Sequence, residues 1–103
     1  MIEVNISESS GSVKIELTGH SGYGKKGEDI VCAGISGVVQ FLIVHLFNNL
    51  GKKGKFELSS GKGLIEIPKE RDTSPLISSL IEYLKLVEKS YPGSVCLRFL
   101  SNE

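Results

Sequence analysis

The segment from residue 30 to residue 47 constrains this chain most, because it contains no Asp, Glu, Lys or Arg. Its apolar residues lie nearly all round a helix, which is typical of a helix buried on most sides. The segment is almost long enough to cross a membrane, but Ser36, Gln40 and His45 interrupt it, and the flanking chain predicts strands that need an apolar cover. We therefore predict a core helix over about residues 30–50 and expect no membrane role.

Two hairpins and a second helix are predicted around this segment. Apolar residues alternate on both sides of Glu8-Ser9-Ser10-Gly11 and of Ser59-Ser60-Gly61-Lys62, as in antiparallel strands joined by a turn. Residues 72–75 are a typical helix start, and apolar residues at helical spacing follow them. Tyr91-Pro92-Gly93 ends this helix before a last strand over residues 94–100. The predicted fold is α+β, in the order β-β-α-β-β-α-β, with a mainly antiparallel sheet and two packed helices.

Length and charge limit the domain organisation and the partners. The chain has 103 residues, with twelve Lys plus Arg against twelve Asp plus Glu, so its formal net charge is zero. This length suits one hydrophobic core, and we predict a single domain over residues 1–103. Zero net charge removes the long-range field that binding to nucleic acid or to a membrane surface would use. The chain starts without a secretory signal pattern, which favours the reducing cytoplasm.

One stretch concentrates residues that can carry chemistry. His20 follows a predicted strand, Cys32 lies at the start of the predicted core helix, and Gly22, Gly24 and Gly27 lie in the loop between them. A thiol in the first turn of a helix faces unpaired backbone N–H groups and the positive end of the helix dipole, which favour the thiolate. A loop that brings the imidazole to the sulfur would create a Cys–His dyad of nucleophile and general base.

Other polar residues have several predicted roles. Asp29 either orients the imidazole or caps the helix, and backbone N–H groups near Ala33 are candidate donors to an oxyanion. Cys96, in the last strand, is predicted to pack, and His45 is predicted to lie in the interior or at an interface. Two His and two Cys spread over this chain lack the spacing of a zinc site, so we predict neither metal nor cofactor.

The loop also matches the dinucleotide fingerprint G-x-G-x-x-G. That fingerprint requires glycines that open a helix directly, a parallel β-α-β unit and an acidic residue about twenty residues further on. Here the helix starts later, and Asn48 and Asn49 occupy the distant position. We favour a mobile lid for these glycines and keep phosphate or nucleotide binding as an alternative. A group of basic residues is predicted to lie in solvated turns, namely Lys52, Lys53, Lys55 and Lys62.

The residues around the loop resemble the signature of the bacterial ribosomal-processing cysteine proteases. That signature is Gly-His-Ala, a variable loop, Gly-x-Asp-Ile-Val-Cys-Ala and a Ser four residues after the Cys. This chain has Gly19-His20-Ser21, then Gly27-Glu28-Asp29-Ile30-Val31-Cys32-Ala33, and then Ser36. The family's length and element order also fit the whole chain. Ser21 and Gly34 depart from the usual pattern, and we expect neither to touch the dyad.

The resemblance implies an activity, a partner and a set of site residues. It implies a small α+β homodimer that removes a short N-terminal extension from large-subunit ribosomal protein number twenty-seven, cutting after an aromatic residue, during ribosome maturation. Ser36 lies one helical turn from Cys32 and is expected to face the same site. The residues carried over by position are the nucleophile Cys32, the general base His20, the supporting residues Asp29 and Ser36, and the mobile substrate loop Gly22, Gly24 and Gly27.

We therefore predict a cytoplasmic cysteine endopeptidase with no bound nucleic acid and no membrane partner. The alternative is a non-catalytic, ribosome-associated homodimer whose glycine-rich loop only captures a peptide. Reactivity separates the two, because an activated thiolate is alkylated faster than a cysteine that merely packs.

Overall fold

The computed structural model describes residues 1–25 and 28–100. These residues form a five-stranded sheet and two α-helices in the predicted order, which confirms the α+β fold. The elements are β1 Ile2–Ser9, β2 Ser12–Gly19, α1 Ile30–Ile43, β3 Lys55–Ser59, β4 Lys62–Pro68, α2 Ser74–Ser90 and β5 Val95–Leu100.

The sheet has the strand order β3-β4-β2-β1-β5. Neighbouring strands are antiparallel except for β1 and β5, which run parallel with Ile2 opposite Val95. The predicted mainly antiparallel sheet is therefore confirmed. The parallel pair arises because the chain leaves β4, crosses the sheet through α2 and returns as β5, a connection that needs a helix rather than a tight turn.

Alternate residues of β1, β2 and β4 are buried, and they meet one side of each helix. Val4, Ile15 and Ile65, from three neighbouring strands, have no exposed side-chain surface. The helices contribute residues spaced three and four apart to the same core cluster, as expected for one face of an α-helix. These helical residues are Val31, Ile35, Val39 and Leu42 of α1 and Ile77, Leu80, Leu84 and Val87 of α2.

The prediction that the first helix is buried on most sides was wrong. Phe41 is 70% exposed, Ile30 62% and Val44 48%, so the side of the helix that faces away from the sheet is left uncovered. The helical stretch Ile30–Asn49 is also long and apolar enough, by length and composition, to cross a membrane. In this fold the sheet packs against one face of the stretch, and within the described residues the side chains on the outer face stay largely exposed.

The first helix ends through a π-helical segment, Val44–Asn49, close to the predicted end. The backbone N–H of Leu50 donates to the carbonyl of His45 at 2.9 Å. His45 is half-buried, and its ring lies parallel to that of Phe41 with centroids 6.5 Å apart. The following loop is fixed by Lys52, whose Nζ lies 2.8 Å from Oδ2 of Asp72.

Candidate active site

A cavity of about 480 Å³ opens between the end of β2, the start of α1 and the turn between β3 and β4. Its apolar wall includes Leu17, Ile35, Val39 and Leu58. The polar and glycine residues that sequence analysis selected and that line this same cavity are His20, Gly24, Asp29, Cys32 and Ser36.

Asp29 is the N-cap residue of α1 and lies three residues before Cys32, which is in the first turn of the helix. Its Oδ1 accepts hydrogen bonds from the backbone N–H groups of Val31 and Cys32, each at 3.0 Å. Its other oxygen, Oδ2, accepts a hydrogen bond from Oγ of Ser21. Burial alone would raise the pKa of Asp29, but the hydrogen bonds from Ser21, Cys32 and Val31 outweigh it and lower that pKa. Of the two roles predicted for Asp29, the described contacts are those of a helix cap.

Ser21 contacts the nucleophile candidate, contrary to the expectation that this departure from the family pattern stays away from it. The backbone N–H of Ser21 donates to Sγ of Cys32 at 3.4 Å. Since Ser21 directly follows His20, this bond holds the sulfur beside the peptide of the imidazole-bearing residue. The Ser21 side chain is buried and also accepts a hydrogen bond from the N–H of Tyr23 at 3.2 Å. A serine hydroxyl that accepts a hydrogen bond from the N–H two residues later is a common local motif. This motif could have indicated from the sequence that Ser21 folds into the site.

His20 is exposed and lies over the turn between β3 and β4. A Cβ built at Gly61 would lie 3.1 Å from Nε2 of His20. The strand end that carries the imidazole is tied to the same turn, because the N–H of Gly19 donates to the carbonyl of Gly61 at 2.9 Å. From the sequence this turn was predicted only as a hairpin tip, and not as part of the candidate active site.

The expected oxyanion donors near Ala33 do not fit the observed contacts. The N–H of Ala33 donates to the main-chain oxygen of Asp29 at 3.0 Å. The N–H groups of Val31 and Cys32 donate to the carboxylate of the same residue. The start of the helix therefore already has its own anion, the Asp29 side chain.

The glycine-rich loop is anchored by Tyr23. The Tyr23 hydroxyl donates to the carbonyl of Pro92 at 2.6 Å, and its ring meets that of Tyr91 edge to face at 5.4 Å. Gly22 has a φ of +81°, in the left-handed region that favours glycine. Gly27, the third predicted loop glycine, lies outside the described residues.

Ser36 and Cys96 lie on opposite sides of the sheet, and of the two only Ser36 lines the cavity. Ser36 is half-buried on α1, one turn after Cys32, and its Oγ accepts a hydrogen bond from Nε2 of Gln40 at 3.0 Å. Cys96 is half-buried and pairs with Glu3 on the face of the sheet that is turned away from the helices. Within residues 1–25 and 28–100, no cluster of three His, Cys, Asp or Glu side chains could hold a metal ion.

The dinucleotide alternative loses support from the geometry of α1. The flanking strands β2 and β3 do run parallel, since both are antiparallel to β4, but β4 separates them. In a dinucleotide site the helix N-terminus would bind the ligand's phosphates. Here those N–H groups are bound to Asp29.

Comparison with known proteins finds relatives that match most of the chain. The family model for cysteine protease Prp matches residues 1–96. The ribosomal processing cysteine protease Prp of Bacillus subtilis (strain 168) is 28% identical over 105 residues, covering 92% of this chain and 94% of that protein.

Solved structures share the fold. The S. aureus protease Prp, solved with a covalently linked product peptide, has a TM-score of 0.82 at 22% identity, covering 97% of this chain and 100% of that one. The protein SMU.848 of Streptococcus mutans has a TM-score of 0.77 at 22% identity, covering 99% of this chain and 96% of that one. With its family model matched from residue 1 to residue 96, this chain belongs to the Prp family of cysteine proteases.

Proposed function

We propose that this cysteine protease acts through Cys32 as nucleophile and His20 as general base. The observation that carries the proposal is the bond from the N–H of Ser21 to Sγ of Cys32, which keeps the sulfur next to the residue that bears the imidazole. Both side chains line one cavity with an apolar wall. A nucleophile and a base that line one cavity have the arrangement that cysteine proteolysis needs.

The reaction follows from these roles. His20 takes the thiol proton of Cys32, and the thiolate attacks the carbonyl carbon of the scissile peptide. The protonated imidazole then gives its proton to the leaving amine as the C–N bond breaks, which leaves a thioester on Cys32. Water attacks the thioester, His20 accepts a proton from that water, and the thiolate leaves.

The proposed substrate is the N-terminal extension of a large-subunit ribosomal protein, cut in the cytoplasm during ribosome maturation. The relative from Bacillus subtilis is named a ribosomal processing protease, and S. aureus Prp has been solved with a substrate peptide. The cavity supports cleavage after an aromatic residue, because Leu17, Val39 and Leu58 give it an apolar wall beside the thiol.

The proposed assembly is a homodimer that covers the outer face of the first helix. We define the α1 patch as the exposed residues Phe41, Val44, Phe56 and Leu58. Val44, Phe56 and Leu58 also line a second groove of about 360 Å³ between the helix and β3. Exposed large apolar residues beside a groove are typical of a protein interface.

Mass spectrometry of the ribosomal protein with its native extension tests the activity. We expect wild-type enzyme under reducing conditions to cut at one aromatic site, and Cys32→Ala and His20→Ala to lose this cleavage while keeping the wild-type melting temperature. Cys96→Ala is the matched control, because that thiol lies on the other face of the sheet, and it should cleave at the wild-type rate.

The alternative function, peptide capture without catalysis, gives a different result. The wild-type protein would then bind the extension without cutting it, and iodoacetamide would alkylate Cys32 no faster than Cys96. Full cleavage by Cys32→Ala would contradict the nucleophile, and full cleavage by His20→Ala would contradict the base.

A further inference from the structure

We infer that the main-chain N–H of Ser21 donates the hydrogen bond that stabilises the oxyanion formed when Cys32 attacks a substrate carbonyl. This inference rests on the proposed Cys32 nucleophile and adds a catalytic group to it. It assigns the oxyanion hydrogen bond to the backbone of Ser21 rather than to the N–H groups near Ala33 at the start of α1, which were the candidates from the sequence.

The first observation is the direction of that N–H. It donates to Sγ of Cys32 at 3.4 Å in the free enzyme. In the tetrahedral intermediate the sulfur and the oxyanion are bonded to the same carbon atom, so a donor aimed at the sulfur before attack lies beside the oxyanion afterwards. An effective oxyanion donor lies about 2.7–3.1 Å from that oxygen, which a small shift from sulfur to oxygen provides.

The second observation is that the neighbouring donors are occupied. The N–H groups of Val31 and Cys32 donate to Oδ1 of Asp29, and that of Ala33 donates to the Asp29 carbonyl. The Asp29 carboxylate is buried, so moving it away would leave a buried charge without its donors. Among these N–H groups near the sulfur, that of Ser21 is the one bonded to the reacting atom itself.

The third observation is that Ser21 is held rigidly. Its side chain is 3% exposed, and Oγ donates to Asp29 while accepting from the N–H of Tyr23. The hydroxyl thus links the peptide that carries the donor to the cap of the helix that carries the nucleophile. A donor fixed before the reaction stabilises developing charge without the cost of reorganisation.

The Cys32 thiolate forms the C–S bond, and the π electron pair of the carbonyl moves to its oxygen, which becomes the oxyanion. The N–H of Ser21 then transfers its hydrogen bond from sulfur, which has lost its negative charge, to that oxygen. When the C–N bond breaks, the electron pair returns to re-form the carbonyl, and the His20 imidazolium protonates the leaving amine.

The experiment replaces the amide between His20 and Ser21 by an ester, which deletes this N–H and keeps the Ser21 side chain. We expect kcat for a fluorogenic peptide of the ribosomal extension to fall about 10²- to 10³-fold, with less than about a threefold change in KM. Iodoacetamide alkylation of Cys32 forms no oxyanion at the attacked carbon, so its rate should change much less than kcat. An ester at Lys69, which deletes one main-chain N–H that donates to the carbonyl of Gly11 away from the cavity, is the matched control and should keep wild-type kcat.

Two results would overturn the inference. One is a wild-type kcat for the Ser21 ester. The other is an equal fall in kcat and in alkylation rate, because that would assign the N–H to holding the thiolate rather than to the oxyanion. Ser21→Ala, which keeps the N–H, separates loss of the hydroxyl from loss of the donor. Failure of the proposed function looks different, because Cys32→Ala or His20→Ala would then retain cleavage whatever the ester does.

Discussion

The imidazole of His20 lies directly against the position that a Cβ of residue 61 would take. A Cβ built at Gly61 would lie 3.1 Å from Nε2 of His20, a closer approach than Cβ atoms usually make, so the imidazole would have to shift. Gly61 also has a φ of +74°, so the turn itself requires glycine geometry. The turn between β3 and β4 therefore forms the surface against which the proposed base rests.

Gly61→Ala is expected to lower kcat about 10- to 100-fold, because displacing a catalytic group by a fraction of an ångström has effects of this size. Gly11→Ala is the matched control: Gly11 occupies the corresponding turn of the first hairpin at a φ of +86°, with open space where its Cβ would lie. Both variants carry a similar backbone strain of about 1–2 kcal/mol. Peptide cleavage and thermal unfolding of the two proteins should show similar losses of stability and a fall in kcat for Gly61→Ala alone. Equal kcat values would contradict the positioning role.

Asp29→Ala is expected to lower the free energy of unfolding by about 2 kcal/mol, since the helix loses its cap and Ser21 loses its acceptor. Asp29→Asn keeps a capping oxygen and should lower the free energy of unfolding by less. The pKa of Asp29 lies below the ordinary value of 3.8 in the folded protein, so the unfolded chain binds a proton more readily. The contribution of the carboxylate to the free energy of unfolding is therefore present above the unfolded pKa, at about pH 4, and is lost as the pH falls through the folded pKa.

Chemical denaturation of wild type and Asp29→Asn between pH 3 and pH 7 measures this difference. We expect the wild-type advantage to be constant from pH 5 to pH 7 and to shrink below pH 4. An advantage that grew as the pH fell would contradict the direction of the pKa shift.

Tyr23→Phe is expected to release the glycine-rich loop without unfolding the domain. The substitution removes the hydroxyl that donates to the carbonyl of Pro92 and keeps the edge-to-face ring contact with Tyr91. One exposed hydrogen bond contributes about 1 kcal/mol, so loop opening should increase about fivefold. Limited trypsin cleavage after Lys25 measures opening, and Tyr91→Phe, which leaves the Pro92 bond in place, is the control. Equal cleavage rates in both variants would show that the hydroxyl does not hold the loop.

Phe41→Glu is expected to convert the proposed homodimer into a monomer, because it places a charge on the most exposed residue of the α1 patch. Leu86 on α2 is also exposed, at 59%, so Leu86→Glu makes the same chemical change away from the patch. Sedimentation velocity at micromolar concentration should give a monomer for Phe41→Glu and a dimer for wild type and Leu86→Glu. A wild-type monomer would contradict the dimer, and a dimer of Phe41→Glu would place the interface elsewhere.

Sequence patterns predicted most of this fold because its signals are local. The alternation around Ser10-Gly11 and Ser60-Gly61 predicts both hairpins, and the spacing of Ile77, Leu80 and Leu84 predicts the face of α2 that is buried. The prediction that α1 is buried on most sides was wrong. Apolar composition indicates that a helix surface is to be buried, but it does not show whether the same chain or a second molecule buries it.

Asp29 and Cys32 lie close together because a local motif, the capped start of α1, determines the positions of both. The contact between His20 and Gly61 joins residues far apart in the sequence, and no local pattern predicts it. The bond from Ser21 to Cys32 depends on how the whole loop folds back. The sequence also does not show that the Asp29 carboxylate accepts hydrogen bonds from the N–H groups of Val31 and Cys32, next to the candidate oxyanion donors near Ala33.

The parallel pairing of β1 with β5 makes the site depend on contacts between residues far apart in the sequence. Ile2 lies opposite Val95, and the N–H of Ile2 donates to the carbonyl of Ser94 at 2.8 Å. Ile2 also lines the cavity that contains Cys32. Contacts of high sequence separation form only after the entropy of closing a long loop has been lost. We therefore expect the wall of the cavity beside Cys32 to be completed late in folding, after both hairpins have formed.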